Sequence, residues 1–173
     1  MLNVQPQKNG DFLVTMPPPA LEFLHRLPGK LRSVLRNPDF GDSAVRRLFP
    51  VAYKDPRREE EYRRLLADDL TRRKLEALDV FEEILTSCDL DPRQASLTIA
   101  GKHFHACLGV INDMRLVLGV ELDIREEIWE KELDPGDPRG EKLLLLHFLS
   151  FLEESLLEAT GMVDLDIRPE DVA

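Results

Sequence analysis

The sequence predicts an all-α domain of about six helices packed as an irregular bundle, with a small N-terminal β-hairpin. Three observations carry that reading. Apolar residues keep helical spacing through residues 21–35, 62–84 and 104–118. The segment opened by Asp55-Pro56 contains no Gly and no further Pro until Pro92, which leaves room for one long helix. Asn9-Gly10, the strongest two-residue turn signal, sits between two short strand-like pieces. With 173 residues, 43% hydrophobic and 32% charged, the chain fits one globular domain (1–173) with a hairpin at 1–16 and a tail at 162–173.

The elements follow in order. Prolines 17–19 open the first helix, where a missing N–H costs nothing. Leu21, Leu24, Leu27, Leu31, Val34 and Leu35 form its stripe, and Pro28-Gly29 predicts a kink or a division into two short helices. Ser43 is read as the cap of a short helix, "SAVRRLF". Asp55 caps the long helix, which runs to about Leu85 with an apolar face of Tyr62, Leu65, Leu66, Leu70, Ala77, Val80, Phe81 and Ile84. A connection follows, with a brief extended piece at 97–99. A helix then spans about Ala100 to Leu118, with Gly119 as a left-handed stop. Asp123 and Glu126 have capping-box spacing for a short helix carrying Ile128, Trp129 and Leu133. Asp137-Pro138 starts the last helix, which ends near Thr160-Gly161. Its apolar residues wrap most of its circumference, so it is central or covered by a partner.

The polar residues of "INDMRL" bear on function. On a helical wheel Arg115 falls inside the apolar stripe of Phe104 and Leu108, whereas Asn112 and Asp113 fall on its opposite edges. The three therefore do not converge as a catalytic cluster, and Asn112 and Asp113 read as capping or loop-anchoring groups. A buried guanidinium needs a partner. Asp69, between Leu65 and Leu66 on the long helix, is the candidate, which gives a structural Asp69–Arg115 ion pair with Arg73 as competitor for the carboxylate. The alternative is that Arg115 receives an anionic ligand in a pocket.

Net charge is −10, which speaks against a general nucleic-acid binder. The charge is nevertheless polarised. Residues 25–74 hold 14 Lys/Arg against 8 Asp/Glu, a net of +6, and residues 120–173 hold 5 against 16, a net of −11. Arg26, Lys30, Arg32, Arg36, Arg46, Arg47, Arg63 and Arg64 form a candidate basic interaction surface, although interspersed acids suggest ordinary i,i+4 pairing. His103 and His105, two apart on a helix, diverge by about 200° and cannot chelate one metal. No phosphate-loop, dinucleotide or nucleophile-elbow motif occurs, so neither cofactor nor metal is expected. Cys88 and Cys107 form no C-x-x-C pair, and Cys107 is placed on the core face as a small hydrophobe. The N-terminus does not read as a signal peptide and the longest apolar run, 143–152, is too short for a membrane span, so a cytoplasmic location is expected.

Three successive blocks carry a resemblance: "RRLFPVAYKDPRREEEYRRLLADDLTRRK", "INDMRLVLG" and "LLHFLSFLEESLL". In order and over most of the chain, they resemble a bacterial, mainly actinobacterial, family known as domain of unknown function number two thousand and seventeen. Its pattern L-F-P-x-A-Y falls at 48–53, D-[DE]-L at 68–70, N-D-x-R-L-x-L-G at 112–119 and L-x-x-L-Q-E-S-L at 149–157. Phe151-Leu152-Glu153 and Phe104 depart from it. The resemblance implies a helical fold without an established activity, and proximity to proteolysis (the Clp adaptor) or to transcription machinery. The leading expectation is thus a non-catalytic regulatory or adaptor-like interaction domain with a protein partner. The alternatives are a transcription regulator contacting DNA or a polymerase-associated partner, and an unrecognised enzyme. Homodimerisation through Leu145, Leu149, Leu152 and Leu156 stays open.

Overall fold

The computed structural model of the chain describes residues 1–123 and 136–161. The short helix expected around Ile128, Trp129 and Leu133 and the tail at 162–173 lie outside the described residues. Among those described, the chain is mostly helical. It has five α-helices and a small antiparallel sheet, in place of about six helices and a lone hairpin.

Strands β1 (Asn3–Pro6) and β2 (Phe12–Met16) form the expected hairpin. Residues 7–11 join them, a longer loop than the two-residue turn that Asn9-Gly10 suggested. Asn9 Oδ1 accepts the Asp11 N–H at 3.0 Å and Gly10 takes φ 90°, so side-chain bonding shapes the loop. The other edge of β2 pairs with β4 (Ala95–Ile99), which pairs with the two-residue β3 (Asp89–Leu90), giving the order β1-β2-β4-β3. Alternation buries Val14 and Met16 beside Ala95, Leu97 and Ile99, in one cluster with the helical core. A Cβ at Gly101 would stand 2.6 Å from the Gly10 carbonyl oxygen, so glycine there lets the hairpin loop close on the chain entering the next helix.

Helix α1 (Pro18–Arg36) is continuous, with Pro28 buried inside it. The expected division does not occur, because Leu21, Leu24 and Leu27 before Pro28 and Leu31 and Leu35 after it pack into one core. Helix α2 (Ser43–Leu48) is capped one residue earlier than expected: Asp42, not Ser43, accepts the Ala44 N–H at 2.8 Å. Helix α3 (Pro56–Thr86) starts as read, with Asp55 accepting the Arg57 N–H at 3.0 Å. Its 31 residues extend about 46 Å and the 18 of α4 (Phe104–Glu121) about 27 Å. Packing against α1 and α4 buries Leu78, Phe81 and Leu85 in the second half of α3, and its first half overhangs. Leu65 and Leu66, read as part of a continuous apolar face, are 63% and 45% exposed.

Helix α4 follows a 3-10 turn (Gly101–His103) and does not stop at Gly119. It continues to Glu121, helped by the burial of Leu122, and the left-handed residue is Asp123 (φ 49°). Cys107 on α4 is fully buried, and burial pushes its thiol pKa up to about 12. Helix α5 (Gly140–Ala159) begins after Asp137 accepts the Arg139 N–H at 2.8 Å, and Gly161 (φ 73°) follows its end. Leu145, Leu149, Leu152 and Leu156, the proposed dimer residues, are buried within this chain, so they are not available as a surface between copies. No helix among the described residues is long and apolar enough to cross a membrane.

Candidate interaction surface

One carboxylate ties residues 51–53 to the overhanging half of α3. Glu59, buried on the first turns, accepts the backbone N–H groups of Ala52 (3.0 Å) and Tyr53 (2.8 Å) on Oε2 and Arg63 Nε (3.1 Å) on Oε1. The Tyr53 N–H, with Ala52 and Arg63 behind it, holds the Glu59 carboxyl below the usual glutamate range, although desolvation opposes this. Arg63 in turn covers the Phe40 ring at 4.7 Å. The result fixes residues 51–53 beside α3, with Tyr53 edge-on to Tyr62 at 5.7 Å. Tyr53, Tyr62, Leu65 and Leu66 then line an open depression of about 390 Å³, flanked by Arg58 and Glu61. Val51 is exposed nearby in sequence, so large apolar groups collect at this end.

Glu59→Gln is expected to release this strap, seen as faster hydrogen exchange at the Ala52 and Tyr53 amides. The sign with pH is fixed by the lowered pKa. Stability contributed by Glu59 is present above its unfolded value and lost as pH falls through the folded one. The wild-type advantage over the glutamine variant should therefore shrink on acidification, and an unchanged gap would refute this assignment.

The polar residues singled out from the sequence occupy different places. Asp69 does not meet Arg115. It pairs on its own helix with Arg72 (2.7 Å) and Arg73 (3.0 Å), which hold its carboxyl below the usual range. Arg115 pairs instead with Glu153 on α5 and donates from Nε to Ser150 Oγ at 3.1 Å. The pair that joins α3 to α4 is Lys74–Asp113, with both carboxylate oxygens 2.9 Å from Nζ. Asp113 is thus a buried cross-helix group, not a capping or loop-anchoring one. Burial pushes its carboxyl up, against the pull of Lys74. A wheel shows that Arg115 lies in a stripe but not which neighbour covers each flank. Here α5, not α3, supplies the partners of Arg115.

The basic set is dispersed by its own pairing. Arg26 holds Glu141 (3.3 Å), Lys30 holds Glu121, and Arg32 holds both Asp79 and Glu82 at 2.7 Å. Arg63 is committed to Glu59, and Arg46 reaches the Gly41 carbonyl at 3.5 Å. Arg36, Arg47 and Arg64 have no carboxylate within ion-pair distance among the described residues, and they lie on three different helices.

A second depression, about 210 Å³, opens between α2, α4 and α5. Asn112, Arg115, Leu116 and Gly119 line it at the spacing i, i+3, i+4, i+7, together with Arg47. Asn112 makes no side-chain hydrogen bond to a described residue, so the expected capping role is not its role here. Asp113 and Leu118, from the same stretch, face the core. Among the described residues no group of three or more His, Cys, Asp or Glu side chains could hold a metal ion.

Compared with known families, residues 1–160 match the one described as Domain of unknown function (DUF2017). No curated protein and no solved structure matches the chain.

Proposed function

The chain belongs to the DUF2017 family, and from that premise we propose that it is a non-catalytic regulatory or adaptor-like domain that docks a protein partner on the overhanging half of α3. The observation that carries the reading is the exposure of Leu65 and Leu66 beside Tyr53 and Tyr62, on a segment that the Glu59 strap holds in place. Aromatic and leucine side chains fixed in advance lose little freedom on binding. The partner is a polypeptide segment that presents apolar side chains to Leu65, Leu66 and the two tyrosines. Charge does not select it, because Lys54, Arg57, Arg58 and Arg64 are matched in number by Asp55, Glu60, Glu61 and Asp68 among the charges near this end that no ion pair holds among the described residues. Proteolysis or transcription machinery is the setting in which such a partner is sought.

The test is capture from the native host with cross-linking and mass spectrometry, using the wild type and a Leu65→Ser/Leu66→Ser variant. Because both leucines are exposed, the variant should keep its Tm within a few degrees. A partner cross-linked near α3 and lost with the variant supports the reading. A variant that captures the same partner equally well refutes it. Association of the wild type with itself, abolished by the variant, would make the occupant a second copy and would also refute it. DNA recovered with a steep salt dependence, unchanged in the variant, would favour a nucleic-acid regulator instead.

A further inference from the structure

The depression between α2, α4 and α5 has a charge imbalance that its geometry keeps. Arg115 is anchored there: Nε donates to Ser150 Oγ, Nη1 to Glu153, and Ser150 Oγ itself donates to the Leu146 carbonyl at 2.9 Å. Its charge is matched by Glu153, while Nη2 has no side-chain partner among the described residues. Arg47 faces the same depression with no carboxylate in ion-pair distance among those residues. The Asn112 carboxamide adds N–H donors that no described side chain uses. With Glu153 set against Arg115, one positive charge remains on the lining, with donors from three side chains. Leu116, Val120 and Leu146 add apolar surface to the same lining.

We propose that this depression binds a carboxylate carried on a short apolar group, independently of the protein-docking surface on α3. A single negative charge balances Arg47, and the planar carboxylate suits guanidinium donors. The volume of about 210 Å³ is below the range of sites for larger organic ligands, which limits the apolar part to a branched chain of a few carbons. Gly119 fits this role. A Cβ there meets no atom within 4 Å, so glycine is not demanded by packing, yet it leaves that part of the lining without a side chain. A free acid and the C-terminal carboxylate of a peptide share this chemistry.

The experiment is an NMR titration of the full chain at constant ionic strength, reading the Asn112 side-chain amide. The probes are isobutyrate, a short peptide ending in valine carboxylate, its amidated counterpart, and inorganic phosphate. Saturable shifts with isobutyrate or the free-acid peptide, absent with the amide and lost in Arg47→Gln, are expected; which of the two binds more tightly identifies the source. Gly119→Ala should weaken binding at least several-fold while its Tm stays level or rises, because alanine favours the helix. Shifts that persist in Arg47→Gln, that follow phosphate rather than carboxylate, or that fail to saturate would each overturn the proposal.

Discussion

Lys74→Met is expected to cost about 3 kcal/mol of unfolding free energy at pH 7, because it leaves the Asp113 carboxylate buried without its counter-charge. The pair is largely enclosed, with side-chain exposures of 19% for Lys74 and 9% for Asp113, so solvent screens it little. Both carboxylate oxygens depend on the one ammonium. The pH dependence follows from a folded pKa that burial already raises. A carboxyl with a raised folded pKa contributes stability below its unfolded value, near 4, and loses it as pH rises through the folded value. Removing Lys74 raises that pKa further, so the deficit should be widest at neutral pH and narrow as the buffer is made acidic. Denaturant unfolding at pH 7 and pH 5 measures both points. A loss under about 1 kcal/mol, or a gap that does not narrow, would show the pair to be a surface contact. Replacing both partners, as in Lys74→Met/Asp113→Leu, should recover most of the loss, since the cost lies in the orphaned charge.

The second large effect separates two leucines on one helix. Leu149 is fully buried and Leu144 is 60% exposed, though α5 is apolar on nearly every side. Leu149→Ala is expected to cost about 2–5 kcal/mol through lost burial and the cavity left behind. Leu144→Ala should stay within about 0.5 kcal/mol. Equal losses would mean that the exposed side of α5 is covered in solution, and a concentration-dependent Tm would identify a second copy as the cover.

The contrast also shows what periodicity can and cannot reveal. Spacing located α1, α3, α4 and α5, and Asp55-Pro56 located the start of α3, because caps and stripes are local physics. The four-stranded sheet was not legible beyond its hairpin and a fragment at 97–99. Pairing of Phe12 with Ile99 or Val14 with Leu97 leaves no local trace. Ion pairs failed for a related reason. Asp69 and Arg115 each lie in an apolar stripe, yet register between helices is set by the whole interface, and it put Lys74 opposite Asp113. Neither Lys74 nor Glu153 carries a local signal that names its partner on another helix. The exposed half of α3 was hidden by the strength of its own pattern: Leu65 and Leu66 match a core stripe in spacing, and only the shorter neighbours leave them uncovered. The overhang could have been suspected from helix lengths alone.

The pairing of β2 with β4 has a consequence for how the chain is made. Val14 and Leu97 are roughly 80 residues apart. At a synthesis rate of about 5–20 residues per second, the second edge of the hairpin waits on the order of ten seconds for its neighbour to leave the ribosome. During that interval α1, α2 and α3 emerge, while Val14 and Met16 and an unpaired strand edge stay open to other nascent chains. Strand β2 thus keeps one edge unpaired until β4 has been made. This chain should be most prone to aggregate while it is being translated, not once it has folded.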